Sequence, residues 1–166
     1  METHLELRHL APYAPYGLIG IIGETKVNLT GLSIDSPFIF TTKSIGSREK
    51  AMSNIKAFKP ILHPLSDITK EIEVNGEKFV PAIELAKIEN KWLTADLYDR
   101  IYTKDYSKEG VIQCYLNTAS PDDDLLLFIE FYSMDTMDYR TIQKLLEWHF
   151  NVFNLPEELW IDINTL

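Results

Sequence analysis

The sequence predicts an α+β fold: an antiparallel β-sheet of hairpins packed against a long amphipathic helix near the C-terminus. Three observations predict it. Short alternating apolar runs are separated by Gly, Pro, Asn and Asp, and Asn75-Gly76 stands between two of them, where it supplies both positive φ values of a tight hairpin turn. One helical period covers residues 136–153: at about 100° per residue, Ile142, Leu145, Leu146, His149, Phe150 and Phe153 fall within an arc of roughly 140°. Arg140, Gln143, Lys144, Glu147 and Asn151 take the opposite side. A sheet with one apolar face and a helix with one apolar stripe bury each other.

The elements follow in order. Pro12 and Pro15 punctuate the start; residues 16–22 read as a strand, Gly23-Glu24-Thr25 as a turn, and 26–32 as the partner strand with Val27 and Leu29 inward. Residues 34–42, with Phe38-Ile39-Phe40, make a third strand that Pro37 pushes to an edge or delays. From 43 to 59 the period is lost, and Lys43, Arg48, Lys50, Lys56 and Lys59 face a single acid, Glu49. This predicts a mobile basic loop or a loosely formed helix. Residues 71–80 form the Asn-Gly hairpin, and Pro81 suits the first turn of a helix running to about Lys87. Thr94 caps another helix in which Leu93, Leu97, Tyr98 and Ile101 share a face. Two strands, Val111–Leu116 and Leu125–Phe131, are joined by a polar turn, and an extended tail at 159–164 follows the last helix. With 166 residues, 45% hydrophobic and 11% aromatic, and neither repeat nor linker, residues 1–166 are expected to form a single globular domain.

No apolar run approaches the roughly 20 residues that span a bilayer, and the N-terminus lacks the basic and apolar regions of a signal peptide. A cytosolic chain without membrane partners is expected. The net charge of −9 and pI near 4.9 argue against a general nucleic-acid binder. The charge is unevenly placed: residues 111–166 hold ten Asp/Glu and two Lys/Arg, while residues 1–60 hold five and seven.

No constellation has the spacing of a catalytic, cofactor or metal site, so a non-enzymatic protein without cofactor is expected. His149 lies within the apolar arc and reads as a core or interface histidine rather than a general base. His4, His9 and His63 are scattered, and Cys114, in an apolar alternation, reads as a small buried thiol. Asp122, Asp123 and Asp124 lack the alternating ligands and central glycine of a calcium loop. They read as a solvated turn or as a contact for a basic partner, and Glu157 and Glu158 as the acidic first turn of a short helix or a second such contact. The basic residues Lys43, Arg48, Lys50, Lys56 and Lys59, with Phe58 nearby, suit a solvated loop or a grip on single-stranded nucleic acid. Gly17, Gly20 and Gly23 recur at every third residue but precede no helix that would cradle a phosphate.

Three fragments carry a family resemblance. They are Lys59-Pro60-Ile61-Leu62-His63-Pro64-Leu65-Ser66-Asp67-Ile68-Thr69-Lys70-Glu71-Ile72, Asn75-Gly76-Glu77-Lys78-Phe79-Val80-Pro81, and Ile142-Gln143-Lys144-Leu145-Leu146-Glu147-Trp148-His149-Phe150 with Asp162-Ile163-Asn164-Thr165. Together they resemble a family of small uncharacterised proteins of bacteriophages and prophages, over roughly 59–81 and the last twenty-five residues. The resemblance implies a phage setting in the host cytoplasm and transfers no catalytic residue. In that setting a small acidic chain without an active site is expected to be a non-enzymatic inhibitor of a host defence effector, of the anti-CRISPR kind. The partner would be an RNA-guided nuclease whose basic nucleic-acid channel is plugged, or whose guide-RNA loading is disturbed, by the acidic C-terminal third. Nucleic acid would be contacted weakly or indirectly. Two alternatives stand beside it: a phage assembly or packaging factor binding another phage protein, and a small RNA-binding module using residues 43–59.

Overall fold

Helices and mainly antiparallel strands make up a mixed α+β architecture in the computed structural model, which describes residues 4–106, 111–118, 124–131 and 137–166. Contacts group the chain into two units: Met1–His63 with Leu145–Leu166, and Pro64–Lys144.

In the first unit a short helix, α1 (Leu7–Leu10), passes into a 3-10 turn, Ala11–Tyr16, that Gly17 ends at φ 69°. Pro12 fits because the first N–H groups of a helical turn have no partner to lose. The strands β1 (Ile19–Ile22), β2 (Thr25–Leu32), β3 (Phe38–Thr42) and β4 (Lys50–Asn54) pair as successive antiparallel neighbours. Pro37 delays the start of β3 but does not put it at an edge, since β3 lies between β2 and β4. A 3-10 turn, Ile55–Ala57, then leads into β5 (Phe58–Leu62), which pairs with β1 on the far side of the sheet. In a flat sheet β4 and β5 would stand four inter-strand spacings apart, about 19 Å, but the steps from Asn54 to Phe58 reach at most about 14 Å. The sheet therefore curls on itself. Tyr13, Leu18, Leu29, Ile39 and Phe58 are buried in this unit, and Gly20 admits the Phe58 ring: a Cβ there would collide with that ring and lie 2.7 Å from the Lys59 carbonyl oxygen.

The structure corrects the reading of residues 43–59 as a loop or loose helix. Lys50, Met52 and Asn54 are exposed while Ala51 and Ser53 are half-buried, which is a strand period written in small residues that hydrophobicity alone does not register.

In the second unit β6 (Ile72–Val74) and β7 (Glu77–Phe79) form the Asn-Gly hairpin, with Asn75 at φ 54° and Gly76 at φ 85°. Pro81 opens α2 (Pro81–Glu89), and a 3-10 turn, Ala95–Arg100, precedes β8 (Ile101–Tyr106). With β9 (Val111–Leu116) and β10 (Leu125–Phe131), β8 forms an antiparallel meander against which α2 packs.

The boundary between the units falls inside α3 (Tyr139–Glu147). Asp138 begins this helix by accepting the N–H groups of Arg140 at 2.6 Å and Thr141 at 3.1 Å. The predicted long C-terminal helix is not formed; α3 has 9 residues. It stops because His149 takes φ 58°, so that its N–H reaches the Leu146 carbonyl (3.0 Å) and the Phe150 N–H reaches that of Leu145 (2.8 Å). These two bonds close the helix end as a Schellman motif, with histidine where glycine is usual. Phe150 is buried as foreseen, but it is bridged to His63 in extended backbone. Finally β11 (Ile161–Asp162) pairs parallel to β5, which gives the order β11-β5-β1-β2-β3-β4.

Candidate functional site

Of the acidic candidates, Asp122 and Asp123 lie outside the described residues. Asp124 belongs to the second unit and is held by its surroundings. It accepts hydrogen bonds from the Tyr102 hydroxyl and from the Thr118 N–H at 3.3 Å. The Tyr102 hydrogen bond chiefly keeps the Asp124 carboxyl below the usual carboxylate range, while the same bond raises the Tyr102 phenol. Tyr102 stacks on Tyr115 across β8 and β9, with centroids 5.6 Å apart, and Lys104 Nζ sits 4.5 Å from the Tyr115 ring centroid. This face of the meander is an internally satisfied cluster of two rings, a cation and an anion. Sequence reasoning missed it because 101–106 was not read as a strand, although Tyr102 and Lys104 alternate as Gln113 and Tyr115 do.

Glu157 and Glu158 belong to the first unit, exposed in a 3-10 turn, Glu157–Leu159. Glu158 lines a cavity of about 260 Å³ together with His4, Lys56 and Lys59, over an apolar floor of Leu5, Phe58 and Leu159. The structure thus brings one acidic candidate and two basic candidates to the same place.

The other basic candidates, Lys43, Arg48 and Lys50, do not line that cavity. Lys59 is on β5 and Lys50 on β4, the last strand of the order. Lys43 is bound to Glu49 at 2.5 Å. Arg48, Lys50, Lys56 and Lys59 make no ion pair with any described residue. Of the five cations, Lys56 and Lys59 line that cavity. A neighbouring cavity of about 490 Å³ shares His4, Leu5 and Lys56 and adds Arg8, Ile34 and Pro37; Arg8 is paired with Glu6 at 2.9 Å.

The single groups have structural roles. His149 Nε2 lies 3.0 Å from the Tyr16 carbonyl oxygen, so this nitrogen carries the hydrogen and donates it. Burial lowers the His149 pKa, with the Tyr16 carbonyl opposing. His9 Nδ1 accepts the Glu6 N–H at 3.1 Å at the start of α1, and the His63 ring packs on Phe150. Cys114 is fully buried, its thiol donating to the Ala82 carbonyl at 3.2 Å, and burial pushes its pKa up to about 12. Such a thiol is no nucleophile at neutral pH. Tyr13 donates its hydroxyl to the Phe150 carbonyl at 2.5 Å, and burial drives its pKa far upward. Among the described residues no cluster of three or more His, Cys, Asp or Glu is arranged to hold a metal ion, and no helix is long and apolar enough to cross a membrane.

Comparisons of the chain with protein-family models, with curated proteins and with solved structures gave no match.

Proposed function

We propose that this chain is a phage-encoded, non-enzymatic inhibitor that acts by docking an acidic surface onto the basic nucleic-acid channel of a host RNA-guided nuclease. The observation that carries the reading is the charge asymmetry: ten Asp/Glu against two Lys/Arg in residues 111–166. Of these acids, Asp138, Glu147, Glu157 and Glu158 are exposed. A channel built to hold phosphates attracts such a surface at long range, and the attraction raises the rate of encounter before any close contact forms. The resemblance of residues 59–81 and of the C-terminal segment to phage proteins supplies the setting.

The test is plasmid or phage survival in a host carrying the nuclease, with this chain expressed. Replacing Asp122→Lys, Asp123→Lys, Glu157→Lys and Glu158→Lys together should cut protection about tenfold or more, since each close charge pair lost weakens binding. Asp124 is left in place because Tyr102 and Thr118 depend on it. Full protection by the quadruple variant, with an unchanged thermal melt, rejects these acids as the contact. Recovery of the chain in virions, with no effect on the nuclease, assigns it to phage assembly instead.

A further inference from the structure

We propose that the free edge of β4 is a docking site for an extended segment of another protein, apolar at its centre and acidic on both sides. The proposal concerns a surface of opposite sign from the acidic one and does not depend on that reading.

Among the described residues β4 is the terminal strand of its sheet, so one row of its backbone N–H and C=O groups has no described strand beside it. Sheet edges are ordinarily blunted by proline, by a bulge or by charge in mid-strand. The middle of β4, Ala51-Met52-Ser53, has none of these, and its pairing with β3 is regular through all five residues. Met52 is 62% exposed and lies directly opposite Phe40, itself 39% exposed. Directly opposed residues share a face, so the edge carries an uncovered apolar pair at its centre.

Charge decides the occupant. Arg48 and Lys50 stand at the start of the strand and Lys56 just past its end, all exposed and all without an ion-pair partner among the described residues. A five-residue strand rising about 3.4 Å per residue is some 17 Å long, which suits a partner segment of five to seven residues. Strand addition draws its affinity from the backbone ladder and its selectivity from alternate side chains. An apolar residue opposite Met52 and a carboxylate two positions away would meet Met52 and Lys50 in that alternation, and a carboxylate on the far side would stand opposite Asn54, with Lys56 two residues beyond. Single-stranded nucleic acid is the less suited occupant, because it offers no N–H and C=O row to pair with the edge.

The experiment uses the full chain and a fluorescein-labelled heptapeptide with valine at its centre, glutamate two positions to either side and threonine elsewhere, followed by anisotropy. Saturable binding is expected. It should weaken about tenfold or more when lysine replaces glutamate in the peptide, and likewise in the double variant Arg48→Glu, Lys50→Glu, with folding checked by circular dichroism. Backbone N-methylation should abolish binding at one alternate set of peptide positions and spare it at the other, as only one set faces the strand. Four results overturn the proposal: no saturable binding, equal binding of the lysine peptide, indifference to both methylation patterns, or self-association through β4 that Met52→Lys abolishes and the peptide does not compete with. Preferential, steeply salt-dependent binding of oligouridylate at the same residues would also overturn it and assign the edge to nucleic acid.

Discussion

The curled sheet of the first unit and the three-stranded meander of the second handle their charges in opposite ways. On the meander Lys104 lies over the tyrosine rings and Asp124 is held by Tyr102 and Thr118, so the polar groups stabilise one another. On the curled sheet the interior is fixed by apolar fit, with Phe58 seated against Gly20, and the cations at the β4 edge are left to the solvent. Charges that have local partners contribute to the fold, whereas charges without them remain free to meet another molecule. The contrast separates a structural face from a candidate docking face within one chain.

The largest break in this contrast is expected inside the first unit. Gly20→Ala puts a methyl group against the Phe58 ring and the Lys59 carbonyl, and β-sheet backbone cannot easily retreat. A loss of about 3 kcal/mol is expected, lowering the melting midpoint by about 10 °C, measured by urea and thermal unfolding. A loss below about 1 kcal/mol would show that apolar fit is not what fixes this sheet.

An intermediate effect is expected at His149. His149→Ala and His149→Gly both remove the bond to Tyr16, but only alanine retains the cost of the left-handed backbone, so the glycine variant should be the more stable by about 1 kcal/mol. In the wild type, the native imidazole resists protonation more than the unfolded one does. Its contribution is therefore complete above the unfolded pKa, near 6.5, and declines as the pH falls below it. Unfolding curves from pH 8 to 5 should show this slope in the wild type and not in His149→Gly.

The smallest effect belongs to the meander, where pH is the sharper probe. Tyr102→Phe removes the main cause of the lowered Asp124 pKa, so the Asp124 titration followed by NMR should move up toward the ordinary carboxylate range. Because the native pKa is depressed, the stabilisation is present above the unfolded carboxylate pKa, near 4, and is lost as the pH falls through the native value. The wild type should therefore exceed Tyr102→Phe in stability at neutral pH and converge with it in acid. An unmoved Asp124 titration would sink the assignment.

Much of the fold was legible wherever a local signal was also the deciding one. Asn75-Gly76 fixed a hairpin by backbone chirality, and Pro81 marked the first turn of α2. The helix end at Glu147 was not legible, because the left-handed residue that closes it is a histidine on the apolar arc rather than a glycine. The strand period of β4 was hidden in Ala51 and Ser53, small half-buried residues that carry little hydrophobic signal. At the site level, sequence named the charged residues but not their company. That Lys56, Lys59 and Glu158 share a cavity follows from the pairing of the C-terminal strand with β5, a property of the whole unit.

The parallel pairing of Ile161 with Ile61, and the seating of Tyr13 on the Phe150 carbonyl, have a consequence for biosynthesis. Strands β1–β5 are all made by residue 62, but β5 gains its second neighbour and Tyr13 its acceptor only when the C-terminal segment has been synthesised. A chain ending at residue 144 should therefore be cut by protease faster within residues 1–63 than the same residues are in the full chain.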